Sequence, residues 1–151
     1  MKPIFQFALG LPAAPQARRP LLFDGKQINE VGAAAIDAQF AAPSVGYLLV
    51  LSWDAPDEET PWLLLLDESF HPLDRHEFGG FFAAGATSRV IPEAEDRVRL
   101  RVGNKDYVAD IQRGRWWRRA RYRLSVRAAN IDGTVVRWTA MAAGWVNAAS
   151  A

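Results

Sequence analysis

Apolar and polar residues alternate one by one through much of the C-terminal half of the chain. In "DRVRLRV", Val98, Leu100 and Val102 fall on one parity and Arg97, Arg99 and Arg101 on the other. Successive side chains of a strand point to opposite faces, so this pattern predicts a half-buried β-strand. Gly103-Asn104 supplies a tight turn, and Tyr107, Ala109 and Ile111 continue the apolar face on a return strand. "QRGR" is read as the next turn. From Trp116 onward, Trp116, Ala120, Tyr122, Leu124 and Val126 share one parity, while Trp117, Arg119, Arg121, Arg123, Ser125 and Arg127 share the other. Arg118 alone breaks the rule. After "NIDG", residues 134–141 form a further strand with Val136, Trp138 and Ala140 on one face.

The first half is written differently. An opening strand is expected over 4–9 and another over 21–23, turning at Asp24-Gly25, a pair suited to a turn in which both central residues need positive φ. In "VGAAAIDAQFA", Ala34, Ile36, Ala38 and Phe40 alternate as a strand face, although an alanine-rich helix fits nearly as well. "VGYLLVLSW" and "PWLLLLD" are two apolar runs joined by the polar stretch "DAPDEET", which predicts a hairpin with a solvated tip. The unbroken run Leu63, Leu64, Leu65, Leu66 implies burial on both faces and hence a central strand. "LDRHEF" is the next strand, and "GGFFAAGATS" a glycine-punctuated connection.

About eight to nine short strands, joined mainly by hairpin signals, predict an all-β, mainly antiparallel fold. The expected architecture is one β-sandwich or barrel over 1–151, with one short helix as the only exception, a Pro/Ala-rich loop over 10–20 and a frayed tail over 148–151. Composition agrees: six Trp and eight Phe supply large core pieces, and nine Pro with eleven Gly supply turns. No run approaches the ~18 apolar residues a membrane helix needs. The apolar start "MKPIFQFALGLPAAPQA" is interrupted at Gln6 and Pro12 and is read as strand and loop rather than as a leader. There is no cysteine, which removes disulfides, thiolate metal sites and cysteine nucleophiles. A cytoplasmic location and no membrane partner are expected.

The net charge of +1 hides a division. Residues 1–96 hold fourteen acids and six bases, whereas 97–151 hold twelve bases and three acids. Candidate catalytic groups are sparse. His71, Asp74 and His76 lie close in sequence, and Asp74 and His76 share a strand face, but their spacing matches no ligand signature. Local hydrogen bonding is the expected role, and no metal or cofactor is assigned. Ser69 lies two residues from His71 without a placed acid or oxyanion hole, and "GGFFAAGATS" lacks the Gly-Lys-Ser/Thr ending of a phosphate loop. Asp67 and Glu68, and the trio Asp57, Glu58 and Glu59, are the densest carboxylates, and for the trio solvation at a hairpin tip is explanation enough. The reading leans away from an enzyme.

The arginines remain. Residues 113–127, "RGRWWRRARYRLSVR", hold seven arginines, three aromatic rings and no acid. On the strand reading, Arg97, Arg99 and Arg101 share a sheet face with Arg119, Arg121, Arg123 and Arg127, and Trp117 is the one ring on that parity. Glu93, Glu95 and Asp110 are expected to neutralise part of this face, because unpaired like charges side by side are costly. The leading expectation is a protein-binding domain of bacterial immunity or adaptor type. Its contact residues would be Arg99, Arg101, Trp117, Arg119, Arg121 and Arg123, with Asp57, Glu58 and Glu59 as an acidic second contact. A nucleic-acid-binding sheet face is the first alternative, and a small-ligand or metal-binding barrel the second.

Overall fold

The structure, a computed structural model, describes residues 1–14, 17–55, 58–78, 87–114 and 121–129. Among them the fold is all-β and antiparallel throughout, with twelve strands in three sheets. The five-stranded sheet has the order β1-β5-β6-β7-β8, where β1 is Lys2–Pro3, β5 Ala35–Ala42, β6 Gly46–Ala55, β7 Glu58–Asp67 and β8 Pro72–Glu77. The four-stranded sheet has the order β12-β11-β10-β9: β9 is Thr87–Ala94, β10 Arg97–Val102, β11 Lys105–Gly114 and β12 Arg121–Ala128. A three-stranded sheet joins β2 (Phe7–Leu9), β3 (Arg19–Phe23) and β4 (Lys26–Val31).

The leucine runs explain the layering. On β6 and β7, Leu48, Val50, Leu63 and Leu65 point into one core cluster, shared with Val98, Leu100, Ala109 and Ile111 of the four-stranded sheet. Leu49, Leu51, Trp62, Leu64 and Leu66 point the other way, into a second cluster with Phe7, Leu21 and Val31 of the three-stranded sheet. A central sheet covered on both faces needs apolar residues at every position, and these two strands have them. No charged or polar side chain is buried among the described residues.

Several sequence readings change in detail. The "VGAAAIDAQFA" stretch is strand from Ala35 on and not helix, but its apolar parity breaks: Asp37 is skipped in the β5–β6 register between Ile36↔Leu51 and Ala38↔Val50. The bulge turns Ile36 toward the second cluster while Ala38 and Phe40 face the first. Of the opening strand expected over 4–9 only Phe7–Leu9 is strand, as β2; β1 precedes it at Lys2–Pro3 and serves a different sheet. The strand β9 was not foreseen, because Pro92 interrupts its pattern; as an edge strand it tolerates a residue with no N–H to donate. The polar stretch 54–59 is more strand than loop, since β6 and β7 stay paired through Asp54↔Glu59 and Ala55↔Glu58. The strand expected over 134–141 lies outside the described residues.

Turns follow their residues. Asp24 and Gly25 both have positive φ, 48° and 77°, as the two-residue β3–β4 hairpin requires. Gly46 opens β6 at φ 141°, where an added Cβ would sit 2.4 Å from the Leu66 carbonyl oxygen, so only glycine fits.

Candidate partner-binding site

Strand parity puts Arg97, Arg99, Arg101, Arg123 and Arg127 on the face away from the first core cluster and leaves their neutralisation to the register. On the outer face of the four-stranded sheet, Arg101 binds Asp106 through two hydrogen bonds of 2.7 and 2.8 Å. Arg97 bonds Asp110, Arg99 bonds Glu93, and Arg127 approaches Asp110 at 3.5 Å. Cross-strand register makes these pairs: Arg97 stands opposite Asp110 and Arg101 opposite Asp106. Val108, between Arg99 and Arg127 in the register, lies on this outer parity yet is only 5% exposed.

The hydrogen bond from Arg101 holds the Asp106 carboxyl below its ordinary value, helped by the charges of Arg101, Arg99 and Arg89 and opposed by partial burial. The same bond raises the Arg101 guanidinium, and the bond that Arg97 donates to Asp110 raises Arg97. Arg99 and Arg101 are therefore committed to carboxylates of their own sheet.

At one end the pattern stops. The last β10–β11 pair is Arg97↔Asp110, whereas β11 and β12 continue through Ile111↔Leu124, Gln112↔Arg123, Arg113↔Tyr122 and Gly114↔Arg121. Beyond that point the Ile111 N–H donates to the Asp96 carbonyl of the β9–β10 turn, at 2.7 Å. Past it, among the described residues, β11 and β12 run on as a paired ribbon with β8 beside β12 through the Asp74–Leu124 bond, and Gln112, Arg113 and Arg123 are exposed. Neither Arg113 nor Arg123 has an ion-pair or hydrogen-bond partner among the described residues. Arg123 lies on the outer parity with Gln112, and Arg113 on the inward parity with Tyr122, which packs against the first core cluster. "QRGR" is thus strand as far as Gly114.

Of the other expected contacts, Trp117, Arg119 and Asp57 lie outside the described residues, while Arg121, Glu58 and Glu59 are placed by their backbones alone. The histidines do not converge. Asp67 accepts the backbone N–H groups of Ser69 and His71, both at 2.8 Å, and the His71 ring lies 3.4 Å from it. Asp74 accepts the Leu124 N–H across the seam between sheets, and His76 packs edge-on against Phe78. Among the described residues no group of three His, Asp or Glu side chains is placed to hold a metal ion.

A groove not anticipated from the sequence, of about 270 Å³, runs between β4 and the β8 edge. Trp62, Leu64 and Val31 form its apolar lining, and Arg18, Glu30, Asp74 and Arg75 its polar rim. Its polar groups are largely occupied. The Arg75 guanidinium lies 4.1 Å above the Trp62 ring and bonds Glu77, Arg18 donates to the Glu30 carbonyl, and Asn29 accepts the Glu30 N–H. Among the described residues no helix is long and apolar enough to cross a membrane. Comparison of the chain with family models, with curated proteins and with solved structures gives no match.

Proposed function

We propose that this chain is a non-enzymatic binding domain and that the basic β11–β12 ribbon is the surface with which it engages an acidic partner. One observation carries the reading: Arg97, Arg99, Arg101 and Arg127 each meet a carboxylate, whereas Arg113 and Arg123 of the ribbon meet none among the described residues. Exposed like charge without an internal counter-ion steers encounter with a surface of opposite sign. Arg99 and Arg101 then brace the sheet behind the contact and do not make it. Arg121 belongs to the ribbon by register, opposite Gly114.

Two partners fit such a ribbon. A protein with an acidic face corresponds to an immunity- or adaptor-type role, carried out in the cytoplasm, with Glu58 and Glu59 at the far hairpin as a second contact. A nucleic acid is favoured by a separate observation, the absence of any acid from residues 111–127. Architecturally, we read the five- and four-stranded sheets as a nine-stranded sandwich around the first core cluster, with the three-stranded sheet packed outside. The Asp74–Leu124 bond at one seam and the bond from the Met1 ammonium to the Ala94 carbonyl at the other support that reading.

Affinity capture from the native cell with wild type and with the double variant Arg113→Glu/Arg123→Glu tests the proposal. Partners held by wild type should be lost from the variant; identical recovery by both overturns the assignment of the ribbon.

A further inference from the structure

We infer that the outer face of the β11–β12 ribbon, around Asp110, binds the phosphate backbone of a nucleic acid, an inference that rests on the ribbon being the contact surface. The site consists of Arg97 from β10, Asp110 and Gln112 from β11, and Arg123, Ser125 and Arg127 from β12. These residues share the face turned away from the first core cluster.

The register builds the site. Asp110 stands opposite Arg97 on one side and Ser125 on the other, while Gln112 is opposite Arg123 and Val108 opposite Arg127. Arg97 donates to one oxygen of Asp110 and Arg127 approaches the other at 3.5 Å, so two guanidinium groups share a single carboxylate. Arg123 meets no acid among the described residues. Three arginines against one acid leave the patch with an excess of positive charge.

Burial decides what a partner meets there. The Asp110 side chain is only 14% exposed, whereas those of Arg97 and Arg127 are 42% and 61% exposed. The shielded acid holds two guanidinium groups that solvent still reaches, and each retains N–H donors beyond those turned to Asp110. Side chains already held in place lose less freedom when they bind an anion. The Ser125 hydroxyl and the Gln112 amide, which make no side-chain hydrogen bond among the described residues, add neutral donors between the charges.

Charge complementarity selects the occupant. The face presents guanidinium groups without an apolar centre: among the described residues its large apolar members are Val108, which is buried, and Ile91, which is half-buried. A protein partner is held chiefly through a desolvated, largely apolar centre with charge at the rim. A phosphate backbone needs no such centre, because counter-ion release and guanidinium–phosphate bonds supply the affinity. No aromatic ring stands on this face among the described residues, so its contacts fall to the backbone and not to the bases.

Fluorescence anisotropy with the full chain tests the inference, using three labelled probes: two short DNA duplexes of unrelated sequence, and poly-L-glutamate. Both duplexes should bind alike and more tightly than poly-L-glutamate, with log affinity falling steeply against log salt concentration. Arg123→Gln/Arg127→Gln should reduce that slope by about two and weaken binding roughly tenfold at low salt, because each guanidinium releases about one counter-ion. Arg123→Lys/Arg127→Lys should keep most of the slope, which separates loss of charge from misfolding. Arg18→Gln/Lys26→Gln removes the same charge beside the three-stranded sheet and should leave the slope unchanged.

Tighter binding of poly-L-glutamate than of either duplex, lost in Arg123→Gln/Arg127→Gln, would overturn the phosphate assignment and leave the ribbon as a protein contact. A tenfold preference for one duplex would overturn recognition through the backbone. An equal fall in slope for Arg18→Gln/Lys26→Gln would overturn the site around Asp110. If neither duplex binds, the inference fails; the ribbon reading then survives only if partners captured by wild type are lost from Arg113→Glu/Arg123→Glu.

Discussion

The side chain of Gln39 pairs with the backbone of Phe7 as a neighbouring strand would. Its amide nitrogen donates to the Phe7 carbonyl at 3.0 Å, and its oxygen accepts the Phe7 N–H at 2.8 Å. Because Phe7 begins β2, this one side chain ties the three-stranded sheet to β5 of the central sheet. Gln39→Leu leaves both backbone groups without partners in a partly buried place and should cost about 2 kcal/mol. Gln39→Glu keeps the acceptor, loses the donor and should fall between. Urea denaturation gives the stabilities, and faster hydrogen exchange at the Phe7 amide locates the effect.

Asp74 does comparable work at the other side. Its Oδ2 accepts the Leu124 N–H at 2.8 Å, joining the edge of the five-stranded sheet to the edge of the four-stranded one. Its Oδ1 accepts the Arg75 N–H at 2.9 Å. Asp74→Ala should destabilise by roughly 1–2 kcal/mol and speed exchange at Leu124 above all. A Leu124 amide that stays as protected as in wild type would show that the seam does not depend on this bond.

Phe70 should respond to substitution in an unusual order. It has φ 64°, a backbone region that suits glycine, and is held there by ring contacts with Phe7, Phe23 and Tyr47. Phe70→Ala loses the rings and keeps the strain. Phe70→Gly loses the rings but relieves about 1 kcal/mol of strain, so it should be the milder change. Thermal unfolding of the two variants decides it; a glycine variant clearly less stable than the alanine one would show that the loop stores no strain.

The Arg101–Asp106 pair predicts a pH dependence. The Asp106 carboxyl is held below its ordinary value in the folded protein, chiefly by the hydrogen bond from Arg101. The folded state therefore binds its proton less readily than the unfolded chain does. The contribution to stability is present above the ordinary carboxylate range and is lost as pH falls through the depressed value. Asp106→Asn removes it, so wild type should exceed the variant in urea midpoint at neutral pH and the difference should shrink towards pH 2. A difference independent of pH would assign the effect to packing.

Much of this was legible in local pattern. Val98, Leu100 and Val102 and their neighbours on β11 and β12 lie inward as alternation requires, and the leucine run of β7 is buried on both faces. The reach of the basic ribbon could also have been counted: turns at Glu95-Asp96 and Gly103-Asn104 limit β10 to six residues, and Ile111 onward must outrun it. What hid it was reading "QRGR" as a turn. Other features had no local trace. The bulge at Asp37, the Gln39 pairing with Phe7 and the groove over Trp62 each depend on segments distant in sequence.

The sequence by itself determined the class of structure, the inward face of most strands and the abundance of guanidinium groups after residue 96. These depend on a period of two and on composition, which a linear reading contains. Only the tertiary structure decided that the leucine strands lie between two other sheets, and which arginines are neutralised. Neutralisation depends on which carboxylate stands opposite in the register and on where a neighbouring strand ends. Arg101 meets Asp106 because β10 and β11 pair at that point; Arg113 and Arg123 stand beyond the last residue of β10 and have no ion-pair partner among the described residues.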